Sequence, residues 1–504
     1  MLNPNRYYRA LTTRDARFDG RVFVAVTTTR IYCRPICCAG PAKIEHCLFF
    51  PSAAAAQTAG YRPCLRCRPE RVADLGSWAD SSLDPSNCVS RGLALIAEGV
   101  FGSDDSSVDV LALRLGVSAQ HLQHVFQQQL AASPSAVARV HRVLFAKHLI
   151  HETRLPMTQV ACAAGFADVR RFNESFYRLF ERPPTALRRK GRRSLKHDSI
   201  ATTGVTVHLY YRPPYDWPAM ITFLAARALD GIEKVKDERY LRTLMYAGEI
   251  GSVDVTHQAD ACCLAVQIKM PSARSLMPII NRLRQMFDLA ADVTMIGETL
   301  TRDPLLQPLI VNRPGLRLPT AWDSFELAMR AILGQQVTLQ AGRRLTQTLV
   351  RLCGHQIPPA SRNEPTLGWL FPTAAQVAAA DLTLLAMPKA RKRALQALAN
   401  AALQDPLLFE ASASIEQTVV RLSAIKGIGE WTAHYIAMRA ARASDAFPAS
   451  DVALLRYMER HQGSRPSKIA FNERAQQWRP WRAYAAQHLW TAGALCEADA
   501  QRAL

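Results

Sequence analysis

Four cysteines near the start of the chain, Cys33, Cys37, Cys64 and Cys67, constrain what it can fold into more than any other feature. They form two close pairs, Cys-x3-Cys and Cys-x2-Cys, with a segment between them long enough to fold back on itself. Thiolates so spaced can close a tetrahedral zinc site, and the metal's binding energy then helps to fold a module with a small core. Cations flank the sulfurs: Arg34 follows Cys33, Arg62 precedes Cys64, and Arg66 and Arg68 bracket Cys67. Such flanks suit a site that faces phosphate. By spacing alone, a closed and unreactive structural zinc ribbon is the commoner outcome. Cys38 and Cys47 lie between the two pairs, where either could compete as a ligand; both are expected to be spare thiols.

The run Phe23-Val24-Ala25-Val26-Thr27-Thr28-Thr29-Arg30-Ile31-Tyr32-Cys33-Arg34-Pro35, with Gly60-Tyr61-Arg62-Pro63-Cys64, resembles the N-terminal domain of the Ada family. Members of that family repair methylphosphotriesters in DNA and then activate transcription. The resemblance covers residues 1–76. It implies that Cys33 is the methyl acceptor, that Cys37, Cys64 and Cys67 complete the zinc shell, and that Arg34 faces DNA. The chemistry is consistent: four thiolates on one zinc ion carry a net charge near −2 and stay nucleophilic at neutral pH. Methylating one of them removes a negative charge and so weakens repulsion from DNA phosphate.

Charge extends the same reading to the whole chain. Lys plus Arg number 62 against 42 Asp plus Glu, a formal charge of +20, and a basic protein of this kind usually has a polyanionic partner. A length of 504 residues and a hydrophobic fraction of 49% predict three or four domains with real cores. No signal-peptide pattern and no apolar run of membrane-spanning length appears, so a cytoplasmic protein with no membrane partner is expected. Its 12 cysteines should then be reduced, with clustered ones reading as metal ligands.

Residues 77–88 and 190–203 read as polar linkers. Between them, a helix over Val110–Leu115, a turn at Gly116 and a Ser118 N-cap lead to a second helix over Ala119–Gln129. The pattern recurs at Val160-Ala161-Cys162-Ala163-Ala164-Gly165-Phe166-Ala167-Asp168, followed by Val169–Phe180. Two such units joined by a long helix over Ser135–His151, with the ending Phe172-Asn173-Glu174-Ser175-Phe176-Tyr177-Arg178-Leu179-Phe180-Glu181-Arg182-Pro183-Pro184, resemble the AraC-type DNA-binding domain. Exposed positions early in the recognition helices would read bases: Gln120, His121 and His124 in the first unit, Arg170, Arg171 and Asn173 in the second. Arg188, Arg189, Lys190, Arg192 and Arg193 read as a basic tail for phosphate.

The C-terminal third holds the richest chemistry. Leu422-Ser423-Ala424-Ile425-Lys426-Gly427-Ile428-Gly429-Glu430-Trp431-Thr432-Ala433 is a Gly-x-Gly turn opening a helix, where backbone N–H groups can approach a phosphate closely. Twenty residues after Trp431 comes Asp451, placed to cap a helix after a Pro-bearing loop. Singly each is weak, a turn and an N-cap. Together, and with Phe325-Glu326-Leu327-Ala328-Met329-Arg330-Ala331-Ile332-Leu333-Gly334-Gln335-Gln336-Val337 and Pro213-Pro214-Tyr215-Asp216-Trp217, they resemble the helix-hairpin-helix glycosylases of the 3-methyladenine DNA glycosylase II type over residues 205–500. The resemblance implies that Asp451 is the catalytic carboxylate. Trp431, Tyr435 and Phe223 would stack on a cationic alkylated base flipped from the duplex. Gly427 and Gly429 would hold phosphate, and Gln336 stands where the family has a Leu wedge. Val452 follows Asp451 where the family pattern has an aromatic residue. Trp431 occupies the position of the lyase lysine, so no Schiff base is expected, and Cys496 alone follows Asp451, so no iron–sulfur cluster is expected.

The expected protein is multi-domain, mainly α with α+β parts. Residues 1–76 form a small zinc-bound α/β module, 85–190 an all-α double helix-turn-helix, 204–316 an α+β N-terminal glycosylase domain, and 317–504 an all-α helix-hairpin-helix domain. Zn2+ is the one expected cofactor, with no organic cofactor. Expected partners are alkylated duplex DNA, promoter DNA and RNA polymerase, engaged by a monomer. Residues Pro314–Pro319 read as a hinge. No Pro-Cys-His-Arg motif occurs, so direct reversal of O6-methylguanine is not expected. Two rivals stand beside this reading: a transcription regulator with an inert glycosylase half, and a plain glycosylase whose front half has lost its regulatory role.

Overall fold

Strand-forming residues just before the first cysteine pair, and the alanine run that follows, set the architecture of the N-terminal region. A computed structural model describes residues 3–72, 88–99, 107–188, 204–410 and 414–502. The linkers expected at 77–88 and 190–203 lie almost wholly outside the described residues, as do Arg189, Lys190, Arg192 and Arg193. Arg188 is described, and its guanidinium donates to the Leu155 carbonyl at 2.5 Å, so it is a tie within the fold rather than part of a basic tail.

The chain divides into two compact units. One comprises Met1–Tyr210, Tyr246–Gly251 and Cys263–Arg282; the other comprises Tyr211–Met245, Ser252–Cys262 and Leu283–Leu504. In the first unit, strands Cys47–Phe50, Phe23–Val26, Ile31–Cys33 and Arg62–Pro63 form a mixed sheet in that order, with only the last pairing parallel. Helix Ala53–Thr58 packs beside it with four buried alanines, of which Ala53, Ala54 and Ala56 share a core with Phe23, Ala25 and Tyr32. Alanine's small side chain permits that close approach.

The helix-turn-helix segments fall at Ser107–Leu115 with Ala119–Leu130, and at Met157–Ala163 with Val169–Phe180. The joining helix is Pro134–Glu152. Both second helices start from a side-chain cap, Ser118 or Asp168, and end in a left-handed residue, Ala131 or Glu181. Each then buries one residue in four on the same schedule: Leu122, Phe126 and Leu130, and Phe172, Phe176 and Phe180. That 3.6-residue stripe leaves the opposite face for a partner.

The zinc module and the first helix-turn-helix unit share a core. Phe23, Tyr32 and Ala53 belong to one cluster with Leu93, Leu122, Phe126 and Val137, and the Ser52 hydroxyl donates to the Leu130 carbonyl at 2.7 Å. A buried ion network reinforces it. Lys147 donates to Glu70 at 2.7 Å with neither side chain exposed, and Arg68 bridges Glu70 and Glu152. His208 in turn lies 2.7 Å from Glu152.

In the second unit, helices pack around two hydrophobic clusters. One is centred on Ala437, Phe447, Tyr457 and Trp478, the other on Ile332, Leu395, Leu422 and Ile436. The region expected to be all-α also contains a short antiparallel ladder, His355 with Leu370 and Gln356 with Trp369. It forms where Gly354 ends the Leu339–Cys353 helix: a Cβ there would lie 2.8 Å from the Leu370 carbonyl oxygen, so only glycine lets the two backbones meet. The expected hinge at Pro314–Pro319 is instead pinned. Arg317 is 1% exposed and donates to the carbonyls of Asp288, Ala291, Arg212 and Pro214. Among the described residues no helix is long and apolar enough to cross a membrane.

Candidate active site and metal centre

The carboxylate of Asp451 is built by three donors from three places in the chain. It caps the Val452–Gln462 helix, accepting from the Leu454 N–H at Oδ1 and 2.9 Å. The Trp490 indole donates to the same oxygen at 2.9 Å, and the Trp431 indole donates to Oδ2 at 2.8 Å. The residue is 8% exposed, so its charge is held by fixed dipoles rather than by water. The N-cap and functional readings of Asp451 are therefore compatible, because capping uses a single lone pair.

Aromatic faces adjoin that carboxylate. Trp431 and Tyr435, four apart on the Glu430–Arg439 helix, stack at 5.3 Å between centroids and 12° between planes. Trp490 meets Tyr435 edge-on at 6.4 Å. All three are half-buried. A buried cation lies under this group: the Arg439 guanidinium sits 4.6 Å from the Phe223 ring centroid, 5.4 Å from Tyr435 and 5.5 Å from Trp490. It also donates to the Pro319 carbonyl and the Gln487 side chain. Burial pulls the Arg439 pKa down to about 10, which still leaves it charged at neutral pH. Arg227 lies over Phe223 as well, at 3.8 Å. Phe223, expected to stack on a flipped base, is thus in contact with two guanidinium groups.

The hairpin glycines differ in what they do. Gly427 has φ +95°, and a Cβ there would lie 2.4 Å from the Ala394 Cβ, so both conformation and packing require glycine. Gly429 caps the Glu430–Arg439 helix at φ −83°, and a Cβ there would meet nothing within 4 Å. Its lack of a side chain instead leaves that helix N-terminus open. Gln336 is exposed and left-handed at φ +55°, while its neighbour Gln335 donates to the Gly427 carbonyl at 3.2 Å and the Thr432 hydroxyl at 3.0 Å. The loop bearing Gln336 is thereby tied to the hairpin.

In the first unit the four cysteine sulfurs all lie within 4.8 Å of one another. A tetrahedron with Zn–S bonds of about 2.3 Å requires sulfurs about 3.8 Å apart, so the residues fit the ion. Cys37, Cys64 and Cys67 are buried, and Cys33 is the more exposed ligand. Cys38 and Cys47 stand outside the cluster; the Cys47 thiol donates to the Lys43 carbonyl at 3.4 Å. Arg34, expected to face DNA, is held within the module. Its guanidinium is paired with Asp19 and bonded to the Cys67 carbonyl, and its backbone N–H donates to the Cys67 sulfur at 3.3 Å. It braces the metal site from within.

Gln120, His121, His124, Arg170, Arg171 and Asn173 are all exposed on their helices. Arg170 pairs with Glu174 on its own helix at 2.9 Å, an exposed contact that a stronger anion can replace. Trp490, Arg439, Arg227 and Gln335 were not reached from the sequence, since no local spacing relates them to Asp451 or to the hairpin.

Residues 6–70 match the metal binding domain of Ada, 111–190 a helix-turn-helix domain, 206–323 the AlkA N-terminal domain and 329–482 the HhH-GPD superfamily of base excision DNA repair proteins. A "DNA-3-methyladenine glycosylase 2" from Escherichia coli is 35% identical over 289 residues, covering 56% of this chain and 95% of its own. The solved structure of a 3-methyladenine DNA-glycosylase from Archaeoglobus fulgidus shares the fold over 57% of this chain and 98% of its own, with a TM-score of 0.51 at 18% identity. A Mycobacterium tuberculosis protein described as a "Probable bifunctional transcriptional activator/DNA repair enzyme AlkA" is 38% identical over 487 residues, 96% of each chain. With that identity sustained over nearly the full length of both proteins, this chain belongs to the family of bifunctional transcriptional activator/DNA repair enzymes of the AlkA type.

Proposed function

We propose that the chain repairs alkylated DNA as a monofunctional glycosylase and couples that activity to a Cys33 methyl acceptor and a promoter-binding domain. The observation that carries the reading is the buried Asp451 carboxylate, clamped by the two indoles and the Leu454 N–H beside the Trp431–Tyr435 stack.

A base such as 3-methyladenine bears positive charge, and the electron-rich faces of Trp431 and Tyr435 attract it once it is flipped from the duplex. As the C1′–N bond breaks, its electron pair goes to the base, which leaves neutral. The sugar becomes oxocarbenium-like, and the fixed negative charge of Asp451 stabilises it. Water then adds to C1′ and loses a proton, completing hydrolysis. No amine stands at Trp431 to form a Schiff base, which supports hydrolysis without strand cleavage.

At the cysteine cluster a bound zinc ion would keep the four sulfurs deprotonated. The thiolate of Cys33, the least buried residue of the four, attacks the methyl carbon of a phosphotriester. An S–C bond forms, the O–C bond breaks, and the phosphodiester leaves with the electron pair. The product thioether carries one negative charge less, so the protein's affinity for promoter DNA rises. Activation then calls for RNA polymerase as a partner, with the protein acting as a monomer.

The test is release of free 3-methyladenine from methylated duplex DNA by the wild type beside Asp451→Asn. Release by the wild type alone supports the glycosylase and its carboxylate. No release by either protein, with DNA binding retained, leaves a regulator whose glycosylase half is a scaffold.

A further inference from the structure

Next to the Gly427 hairpin the chain gathers cations in excess of carboxylates. From Leu382 to Gln404 the sequence holds Lys389, Arg391, Lys392 and Arg393 and no Asp or Glu. These four residues open the Lys389–Gln404 helix. Lys392 is used internally, its ammonium donating to the Thr383 carbonyl at 2.7 Å. The side chains of Lys389, Arg391 and Arg393 form no ion pair or hydrogen bond with the described residues; Lys389 and Arg393 are exposed and Arg391 is half-buried. Lys426, on the hairpin itself, is exposed as well.

Gly427 brings these groups together. Its backbone rests against Ala394, which lies one helical turn beyond Arg391. The ridge and the hairpin are therefore continuous. Fold stability does not account for the cations, because charges of this sign in a first helical turn oppose the helix dipole instead of complementing it. Most exposed cationic clusters are solvated faces interlaced with carboxylates. Here the one carboxylate near the cluster among the described residues, Asp381, acts on Lys392, and Lys389, Arg391 and Arg393 have no ion pair with it.

We propose that Lys389, Arg391 and Arg393 form a phosphate-binding ridge that extends the hairpin's grip along the backbone of duplex DNA. The inference rests on the glycosylase reading above. The ridge contributes affinity and docking register without touching the reacting base, so it acts on the encounter with DNA and not on bond cleavage.

Each phosphate neutralised contributes about 0.9 to the slope of log affinity against log salt concentration, so three contacts contribute about 2.7. Over a fourfold rise in salt, from about 50 to about 200 mM, that difference amounts to about 40-fold. The experiment measures kcat/KM for 3-methyladenine release by the full-length protein and by the Lys389→Ala, Arg391→Ala, Arg393→Ala triple variant across that range. Lys392→Ala serves as the control. The expected result is a salt dependence shallower by about 2 to 3 in slope for the triple variant. Its single-turnover rate at saturating protein stays within about twofold, and Lys392→Ala keeps the wild-type slope. An unchanged slope in the triple variant overturns the ridge while leaving the glycosylase reading intact. An equal loss of slope in Lys392→Ala also overturns it, since generic charge would then suffice. Absence of base release by the wild type removes the glycosylase reading and this inference together.

Discussion

Replacing Trp490 with Phe keeps an aromatic ring against Tyr435 and Arg439 but deletes the N–H that donates to Asp451 at 2.9 Å. Two effects then oppose each other. A carboxylate with one donor fewer presents less-shielded charge to the oxocarbenium-like sugar, which speeds the reaction. A hydrogen bond to a charged group is worth about 1.5–3 kcal/mol net, yet only the part that differs between ground and transition states reaches the rate. Orientation works the other way. Without the Trp490 indole, only the Leu454 N–H holds Oδ1 and only the Trp431 indole holds Oδ2, so the carboxylate can pivot about the line joining its two oxygens. A misplacement on the order of 1 Å costs roughly 100-fold, equivalent to about 2.7 kcal/mol. Orientation outweighs the unshielded charge, so base release should slow by about 10- to 100-fold. Single-turnover release of 3-methyladenine at saturating protein measures this without a contribution from binding, and DNA affinity should not change. A Trp490→Phe rate within twofold of wild type, or above it, would refute the idea that the indole's role is to aim the carboxylate.

Other perturbations have equally definite signs. Lys147→Met leaves the unexposed Glu70 carboxylate short of a partner and should destabilise the N-terminal unit by about 3–5 kcal/mol, whereas Lys147→Met with Glu70→Leu should recover most of that loss; hydrogen exchange in the Pro134–Glu152 helix reads both. Gly427→Ala, forced to φ +95° against Ala394, should destabilise the hairpin by more than about 2 kcal/mol, while Gly429→Ala should fold normally and bind duplex DNA more weakly in a titration. Burial pushes the Glu152 carboxyl up, but His208, His148 and Arg68 pull it further down, to about 2. Its contribution to stability is thus complete above the ordinary value of 4.5 and is lost as pH falls toward about 2. Acid unfolding of the N-terminal unit should therefore steepen in that window and flatten in Glu152→Gln. Chelating the metal should make residues 3–72 protease-sensitive, whereas Cys33→Ser should abolish methyl uptake from a methylated phosphotriester with metal content retained.

Chemistry written at short range was legible. The Cys-x3-Cys and Cys-x2-Cys pairs fixed which four sulfurs meet, because a two- or three-residue gap lets two thiolates face one ion. Caps at Ser118 and Asp168 and the Phe172, Phe176, Phe180 stripe placed the second helix of each helix-turn-helix unit, since a helix is decided by neighbours three and four residues away. The turn at Gly427 and the cap at Asp451 followed from the same local rules.

The tertiary structure decided whatever depends on residues far apart in the chain. Trp490 reaches Asp451 across 39 positions, Lys147 reaches Glu70 across 77, and Arg439 lies beneath rings from three helices. Arg34 and Phe223 looked available because their sequence neighbours say nothing about Asp19, Arg227 or Arg439. Buried charges must find partners wherever packing delivers them, and that delivery is a property of the folded core. The sequence by itself determined which chemical groups this protein owns and their local backbone, while the fold alone determined which of them are aimed at a substrate and which are consumed in holding the others still.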